Sequence, residues 1–137
     1  MREIKFRGKT NKGEWVYGDL HLLCDAPHIH TEISSYPYAG KRAFIDTSTI
    51  GQFTGLRDAK GNEIYEGDIL FLEDDEVPFG CVAWHPDGYF AIDRHFGKYD
   101  FSKFKCRPLG EMLNRELDNG TILRFIVDGN VHDGLTI

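Results

Sequence analysis

The stretch of sequence that decides the fold is GQFTGLRDAKGNEIYEGDILFL, residues 51–72. Its first and last parts predict two strands, and the polar residues 57–62 between them predict a turn in which Gly61 supplies a positive φ. Gly67 interrupts the second strand, and a glycine inside a strand pattern marks a bulge or a sharp bend. Because such a bend curls a sheet, the stretch predicts a small, strongly bent β-barrel of the SH3-like type.

Short strands are predicted on both sides of this stretch. Alternation of apolar and polar residues on either side of the turn cluster at 10–13 predicts a β-hairpin over the first 23 residues. Further strands are predicted near residues 29–33, 43–45, 81–84, 89–93 and 122–127. Leucines at helical spacing predict one short C-terminal helix at residues 108–118. The expected fold class is therefore mainly β, a small barrel elaborated by hairpins.

Length and charge limit the kind of protein. The chain has 137 residues, 41% of them hydrophobic, with a formal net charge of −6, which is typical of one folded domain spanning residues 1–137. A protein that coats nucleic acid by bulk charge would carry a basic excess instead. However, residues 57–76 hold two basic and eight acidic residues and account for the whole net charge. The rest of the chain is neutral and has its own basic segment.

Cysteine usage and hydropathy indicate a compartment. The three cysteines are scattered and odd in number, so they predict no disulfide framework. The first residues are charged and alternating, without the apolar core of a signal peptide. The longest aliphatic and aromatic run, residues 69–72, is too short to span a bilayer. We therefore expect a cytoplasmic protein with no membrane partner.

One group of residues has the chemistry of a metal site. His21, Cys24, His28 and His30 lie close together in the sequence, and imidazole and thiolate are the ligands that zinc prefers. His28 and His30 would lie on the same face of a strand. The alternative is a set of surface histidines in a polar loop, since the spacing matches no known ligand motif.

A second segment, residues 93–107, has the chemistry of a nucleic-acid surface. It holds five Lys or Arg residues against two Asp, with four aromatic residues interleaved, and single-stranded nucleic acids bind to cations and stacking rings of this kind. The candidate binding residues are Arg94, Lys98, Tyr99, Lys103, Lys105 and Arg107. In the alternative interpretation, the aromatic residues are the buried side of an irregular strand whose other face is solvated.

Catalytic patterns are few. Glu66 and Asp68 could form a carboxylate pair for acid–base chemistry, but Gly67 between them favours a bend in which Asp68 accepts hydrogen bonds from the backbone. The acidic run 73–76 is interpreted as a solvated turn. The sequence has no nucleophile elbow and no phosphate-binding glycine loop. No catalytic residue and no cofactor is therefore assigned, although a triad can assemble from distant residues.

Four short blocks resemble a known family. MREIKFRG at residues 1–8, VYG at 16–18, IGQFTGLRD at 50–58 and GNEIYEGDI at 61–69 are similar to the YopX protein family. The clear similarity covers residues 1–20 and 46–72, and residues 93–137 are expected to diverge. The resemblance implies a mainly-β protein of phage or prophage origin, and it supplies no catalytic or binding residues.

Together these observations predict a non-enzymatic binding or interaction module. Its expected partners are a host or phage protein and a second copy of the chain, because short β domains with exposed edges self-associate. One alternative is a nucleic-acid-binding protein that uses residues 93–107. The other is a small metal-dependent enzyme.

Overall fold

The computed structural model describes residues 3–21, 28–30 and 42–133, and for residues 28, 30 and 42 it describes the backbone alone. The described residues form ten strands, one α-helix and two 3-10 turns. The strands are β1 (Phe6–Lys9), β2 (Trp15–His21), β3 (His28–His30), β4 (Arg42–Phe44), β5 (Gly51–Arg57), β6 (Glu63–Tyr65), β7 (Asp68–Leu72), β8 (Pro78–His85), β9 (Tyr89–Asp93) and β10 (Phe125–Asn130). The helix is α1 (Leu109–Met112), and the 3-10 turns are Thr47–Thr49 and Phe101–Lys103.

The predicted fold class is confirmed at the level of secondary structure. The strands form two antiparallel sheets, and the helix is short. No closed barrel is found among the described strands. The chain divides into two compact units, Met1–Phe53 and Thr54–Ile137, which are described one after the other. The single domain expected from the sequence stays a prediction.

In the first unit, the predicted N-terminal hairpin is confirmed. β1 pairs with β2 so that Arg7 lies opposite Tyr17, and β3 and β4 extend the sheet beyond β2. On its other side β1 pairs with the start of β5, where Arg7 lies opposite Gly51. The 3-10 turn is tied to β1, because the N–H of Asp46 donates to the carbonyl of Lys9 at 2.8 Å.

In the second unit, one core holds the strands together. The C-terminal half of β5 lies beside β6, and the other sheet has the strand order β10-β7-β8-β9. Six buried side chains form the core: Ile64, Leu70, Val82, Ile92, Leu109 and Phe125. They come from β6, from the four strands of the other sheet and from the helix, so burial of this cluster joins elements that are distant in the sequence.

The bend predicted at Gly67 is confirmed. Gly67 has a φ of 93°, and the strands on its two sides, β6 and β7, pair in different sheets. A β-carbon on Gly67 would lie 3.3 Å from the side-chain nitrogen of Asn130, so the position needs glycine both for its conformation and for space. The N–H of Tyr65 donates to a carboxylate oxygen of Asp68 at 2.7 Å, which closes the turn.

The helix is shorter than the leucine spacing predicts. It covers Leu109–Met112 instead of residues 108–118, because Asn114 takes a φ of 60° and leaves the helical path. The following residues form a small hairpin in which the N–H of Leu117 donates to the carbonyl of Thr121 at 2.7 Å. Leu117 is 37% exposed, so the apolar stripe that predicts a longer helix is not buried along its full length.

The last strand also differs from its predicted position. β10 runs over Phe125–Asn130, three residues later than the prediction, because residues 121–123 take part in the small hairpin instead. None of the helices in the described part of the chain is long and apolar enough to cross a membrane.

Candidate functional site

Segment 93–107 follows β9 and leads to α1. Asp93, at the end of β9, is buried, and its carboxylate organises the first turn. One oxygen accepts the N–H of His95 and the other accepts the N–H of Gly97, each at 2.9 Å. The backbone can make this turn because Phe96 and Gly97 both adopt positive φ. Asp93 therefore fixes where the segment leaves the sheet.

Two side chains on β8 and β9 hold the second part of the segment. His85 is 1% exposed, and its Nε2 lies 3.0 Å from the carbonyl oxygen of Phe104. The hydroxyl of Tyr89 donates to the carbonyl of Cys106 at 3.0 Å. The rings of His85 and Tyr89 are stacked, with centroids 4.8 Å apart. The segment is thus anchored through its backbone, which leaves its cationic side chains available.

The tautomer of His85 follows from these contacts. The N–H of Asp87 donates to Nδ1 of His85 at 3.1 Å, so Nδ1 is an acceptor and the proton lies on Nε2, where the Phe104 carbonyl can accept it. A carboxylate oxygen of Asp87 also lies 3.6 Å from Nδ1. Because an accepting Nδ1 carries no proton, this contact is not an ion pair in the neutral tautomer.

The segment borders a pocket of about 260 Å³. Its apolar lining consists of Phe79, Ile92, Phe101, Phe104 and Met112. Its polar lining consists of Asp93, Arg94, His95, Lys105, Cys106 and Arg107. The three cations are exposed whereas Ile92 and Asp93 are buried. The pocket therefore has a mainly apolar lining with one buried carboxylate, and its cations lie on the exposed side, its mouth.

The three cations at the mouth are held to different degrees. The guanidinium of Arg94 lies over the ring of Phe79, 3.8 Å from the ring centre, in a cation–π contact. Arg107 forms an exposed pair with Glu111 at 3.8 Å, and exposed pairs of this kind contribute little. Lys105 makes no ion pair with any residue that the structure describes.

The aromatic side chains of the segment are not the buried side of a strand. Beyond Asp93, the last residue of β9, the segment contains no strand in the structure, and Tyr99 and Phe104 are 61% and 43% exposed. Both rings contact His95, with centroid distances of 4.9 Å and 5.2 Å. Together with His95 they form a surface row of rings, which we name the ring row (His95, Tyr99 and Phe104). His95 and Phe104 also line the pocket.

The structure therefore brings three of the predicted binding residues to one place. Arg94, Lys105 and Arg107 line the pocket. Lys98, Tyr99 and Lys103 lie outside it, exposed on the neighbouring turns. Sequence reasoning missed the walls formed by Phe79 and Ile92, and the anchors His85 and Tyr89. Short-range patterns gave no signal for them, because they reach the segment only through the antiparallel pairing of β8 with β9.

The two described thiols are poor nucleophiles. Burial, with a further contribution from the Asp93 carboxylate, raises the pKa of Cys81 to about 11. The same two causes raise the pKa of Cys106, which lines the pocket. Both are therefore protonated at neutral pH, and a thiol is much less reactive than a thiolate.

The predicted metal ligands fall mostly outside what the structure describes. Cys24 lies outside the described residues, and only the backbone of His28 and His30 is described. The register of β2 and β3 places His28 opposite His21 and His30 opposite Asp19. Among the described residues, no three His, Cys, Asp or Glu side chains come together as metal ligands would. The metal site stays a prediction.

Comparison with known proteins identifies the family. The model of the YopX protein family matches residues 5–133 of this 137-residue chain. The chain belongs to the YopX protein family. No curated protein and no solved structure matches it. The match extends beyond the four blocks that carry the resemblance in the sequence and includes the pocket residues.

Two buried carboxylates of the YopX blocks, Asp58 and Asp68, stabilise the fold. Asp58 accepts the N–H groups of Lys60 and Asn62 on one oxygen, at 2.9 and 2.8 Å, and that of Val127 on the other, at 3.0 Å. Burial raises the pKa of the Asp58 carboxyl, but the hydrogen bonds from Val127, Asn62 and Lys60 outweigh it and hold the pKa below its ordinary 3.8. This YopX turn is thereby fastened to β10.

The second YopX carboxylate, Asp68, also has a structural position. It is 1% exposed, and its oxygens accept from the Tyr65 N–H at 2.7 Å and from the Asn130 amide at 3.4 Å. Its hydrogen bond to the bent backbone, as the sequence favours, is confirmed. The two YopX blocks at residues 50–58 and 61–69 thus form the turn and the bend, whereas the residues of the cationic pocket lie outside all four blocks.

Proposed function

We propose that this protein is a non-enzymatic binding module and that segment 93–107 binds single-stranded nucleic acid. The observation that carries the proposal is a set of exposed cations interleaved with the exposed ring row. Cations of this kind meet phosphates, and exposed rings stack on bases whatever their sequence. Lys98, Lys103 and Lys105 are exposed and form no ion pair with a described residue, so phosphates would not have to displace a partner.

Local charge supports the proposal despite the net charge of −6. Within the segment, Asp93 is buried and engaged by two backbone N–H groups. Asp100 accepts from the backbone N–H and the hydroxyl of Ser102. The segment's two carboxylates are thus occupied within it. Screening over about 8 Å at physiological salt further separates the segment from more distant carboxylates.

Fluorescence anisotropy of a labelled single-stranded oligonucleotide, titrated over a range of salt, tests this function. We expect binding at low salt, with an affinity that falls as salt rises. Lys98→Ala and Lys103→Ala should each weaken binding and reduce the salt slope by about one. Lys60→Ala is the matched control, because Lys60 is an equally exposed lysine on the turn after β5. No binding at low salt, or an equal effect of the control, would contradict the proposal.

Self-association is a second candidate, favoured by one apolar surface. Trp84 is 50% exposed and packs edge-on against Phe90 of β9, with ring centroids 4.9 Å apart. β9 is an edge strand of its sheet, and exposed edges pair with other chains. We propose a homo-oligomer, and light scattering at micromolar concentrations tests it. A monomer throughout would refute it.

Origin, compartment and barrel remain proposals of the same kind. Membership in the YopX family supports a phage or prophage origin and, with it, a host or phage protein as a further partner. Scattered cysteines support the cytoplasm. The bend at Gly67 supports an SH3-like curvature of the sheets.

A further inference from the structure

The pocket beside the ring row has a shape and a polarity that the surface cations alone do not explain. Sites for drug-sized ligands have volumes of roughly 300–1,000 Å³, and this pocket, at about 260 Å³, lies just below that range. It therefore has room for one planar ring system and not for several. Phe79, Phe101 and Phe104 supply aromatic surface to its lining, which suits an aromatic occupant.

The charges around the pocket differ between its buried side and its exposed side. The Asp93 carboxylate is buried in its lining, so a negative group is disfavoured beside it inside the pocket. Arg94, Lys105 and Arg107 are exposed at its mouth, where a negative group is favoured. The matching ligand is an uncharged ring that enters the pocket and carries an anionic group at its outer end.

Arg94 is positioned to bind that anionic group. Its guanidinium lies over the Phe79 ring, 3.8 Å from the ring centre, and its Nε makes a long contact of 3.4 Å with the Phe79 carbonyl. Its terminal nitrogens make no hydrogen bond with a residue that the structure describes. A guanidinium stacked in this way is oriented in advance for two hydrogen bonds to a phosphate.

We infer that this pocket receives one unpaired nucleobase, with the adjoining phosphate held at its mouth by Arg94, Lys105 and Arg107. The inference rests on the proposed binding of single-stranded nucleic acid and adds a specific binding site for one nucleotide. The ring row begins at the pocket, since His95 and Phe104 belong to both. Neighbouring bases of the same strand therefore stack outside while one base is inserted.

Two probes and two variants test the inference. Adenosine 5′-monophosphate, titrated by calorimetry, is the probe for the pocket, and a labelled single-stranded oligonucleotide is the probe for the whole surface. Met112→Trp enlarges a half-buried side chain of the lining, whereas Tyr99→Ala removes a ring outside it. We expect Met112→Trp to weaken the mononucleotide about tenfold or more, and Tyr99→Ala to weaken only the oligonucleotide, in keeping with stacking outside the pocket.

Two controls keep the test decisive. The urea midpoint of Met112→Trp shows whether the variant folds. If the variant does not fold, binding of ribose 5-phosphate to the unchanged protein is measured instead. This ligand lacks the base, so it should bind about tenfold more weakly than the mononucleotide. An oligonucleotide that binds while the mononucleotide does not, or that is insensitive to Met112→Trp, overturns the inference and leaves the proposed function in place. Absence of oligonucleotide binding overturns both. An acidic peptide with one aromatic residue, binding where the mononucleotide does not, also overturns the inference.

Discussion

The Asp58→Asn substitution removes the carboxylate charge that fastens the YopX turn to β10, and it leaves the size of the side chain almost unchanged. The carboxylate is 7% exposed, and four hydrogen bonds converge on it, two on each oxygen. An amide has one oxygen and one NH2 group. In either orientation, therefore, two of the donors that now face an acceptor would face another donor.

The expected loss can be worked from these contacts. A hydrogen bond to a charged group contributes about 1.5–3 kcal/mol, and a buried donor without a partner costs about 1–3 kcal/mol. Because relaxation recovers part of the two lost bonds, we expect Asp58→Asn to lower the free energy of unfolding by about 3 kcal/mol. At a typical m-value of about 2 kcal/mol per molar urea, the midpoint should fall by about 1.5 M.

Urea unfolding followed by tryptophan fluorescence measures this loss. Asp128→Asn is the matched control, since Asp128 is an exposed aspartate next to Val127 on β10 and accepts no hydrogen bond from a described residue. The control should unfold within about 0.5 kcal/mol of the unchanged protein. A midpoint for Asp58→Asn equal to that of the control would refute the idea that both oxygens of Asp58 hold the turn.

The effect should also depend on pH in one direction. The pKa of Asp58 is held below its ordinary 3.8 in the folded protein, so the carboxylate contributes its stabilisation above that value and loses it as the pH falls through the lowered pKa. The amide of the Asp58→Asn variant cannot titrate. The difference in unfolding free energy between the two proteins should therefore be constant near neutral pH and shrink below about pH 4. A difference that grows on acidification would contradict the assignment.

Two further experiments test the packing of β8. A methyl group added by Gly80→Ala would lie 2.5 Å from the Ile92 side chain, so we expect overpacking to lower stability by about 1–3 kcal/mol in urea unfolding; an unchanged midpoint would contradict this close approach. In the Cys24→Ser/Cys106→Ser double variant, Cys81 is the one thiol left. Because Cys81 is buried and has a pKa of about 11, we expect a disulfide reagent at pH 8 to label it only when the protein unfolds. Labelling at the rate of a free thiol in the folded protein would count against its burial.

The sequence predicts best those features whose causes lie within a few residues. The turn at Gly67 needs a positive φ, and the Asp68 carboxylate accepts a hydrogen bond from Tyr65, three residues earlier. The local sequence is therefore sufficient to predict this turn. The N-terminal hairpin is predictable for the same reason, because its strands are joined by a short turn. Alternation does not give its buried face, since Ile4 is 57% exposed and Arg7 is buried.

The helix and the pocket depend on partners that a local pattern does not contain. Leucine spacing favours a helix through residue 117, but the backbone beyond Leu113 gains hydrogen bonds by pairing with residues 121–123, and this tertiary context overrides propensity. The pocket depends on Phe79 and Ile92, which face segment 93–107 only after β8 and β9 have paired. Residue types in the segment predict cations and rings, but not a cavity behind them.

The buried carboxylates lie in the part of the chain that stabilises the fold, and the exposed cations lie in the segment proposed to bind nucleic acid. Asp58 and Asp68 are buried and engaged by donors inside the second unit, and exposed Glu73 pairs with Arg124 at 2.9 Å. Two of the eight acidic residues at positions 57–76 are therefore buried and a third is paired with a cation, and salt screens the exposed ones from a polyanion at a distance. The segment with the cationic side chains is held by neutral donors, His85 and Tyr89, acting on its backbone. Substituting those cationic side chains should thus change binding without loosening the fold, whereas substituting the YopX carboxylates should loosen the fold and affect binding only through it.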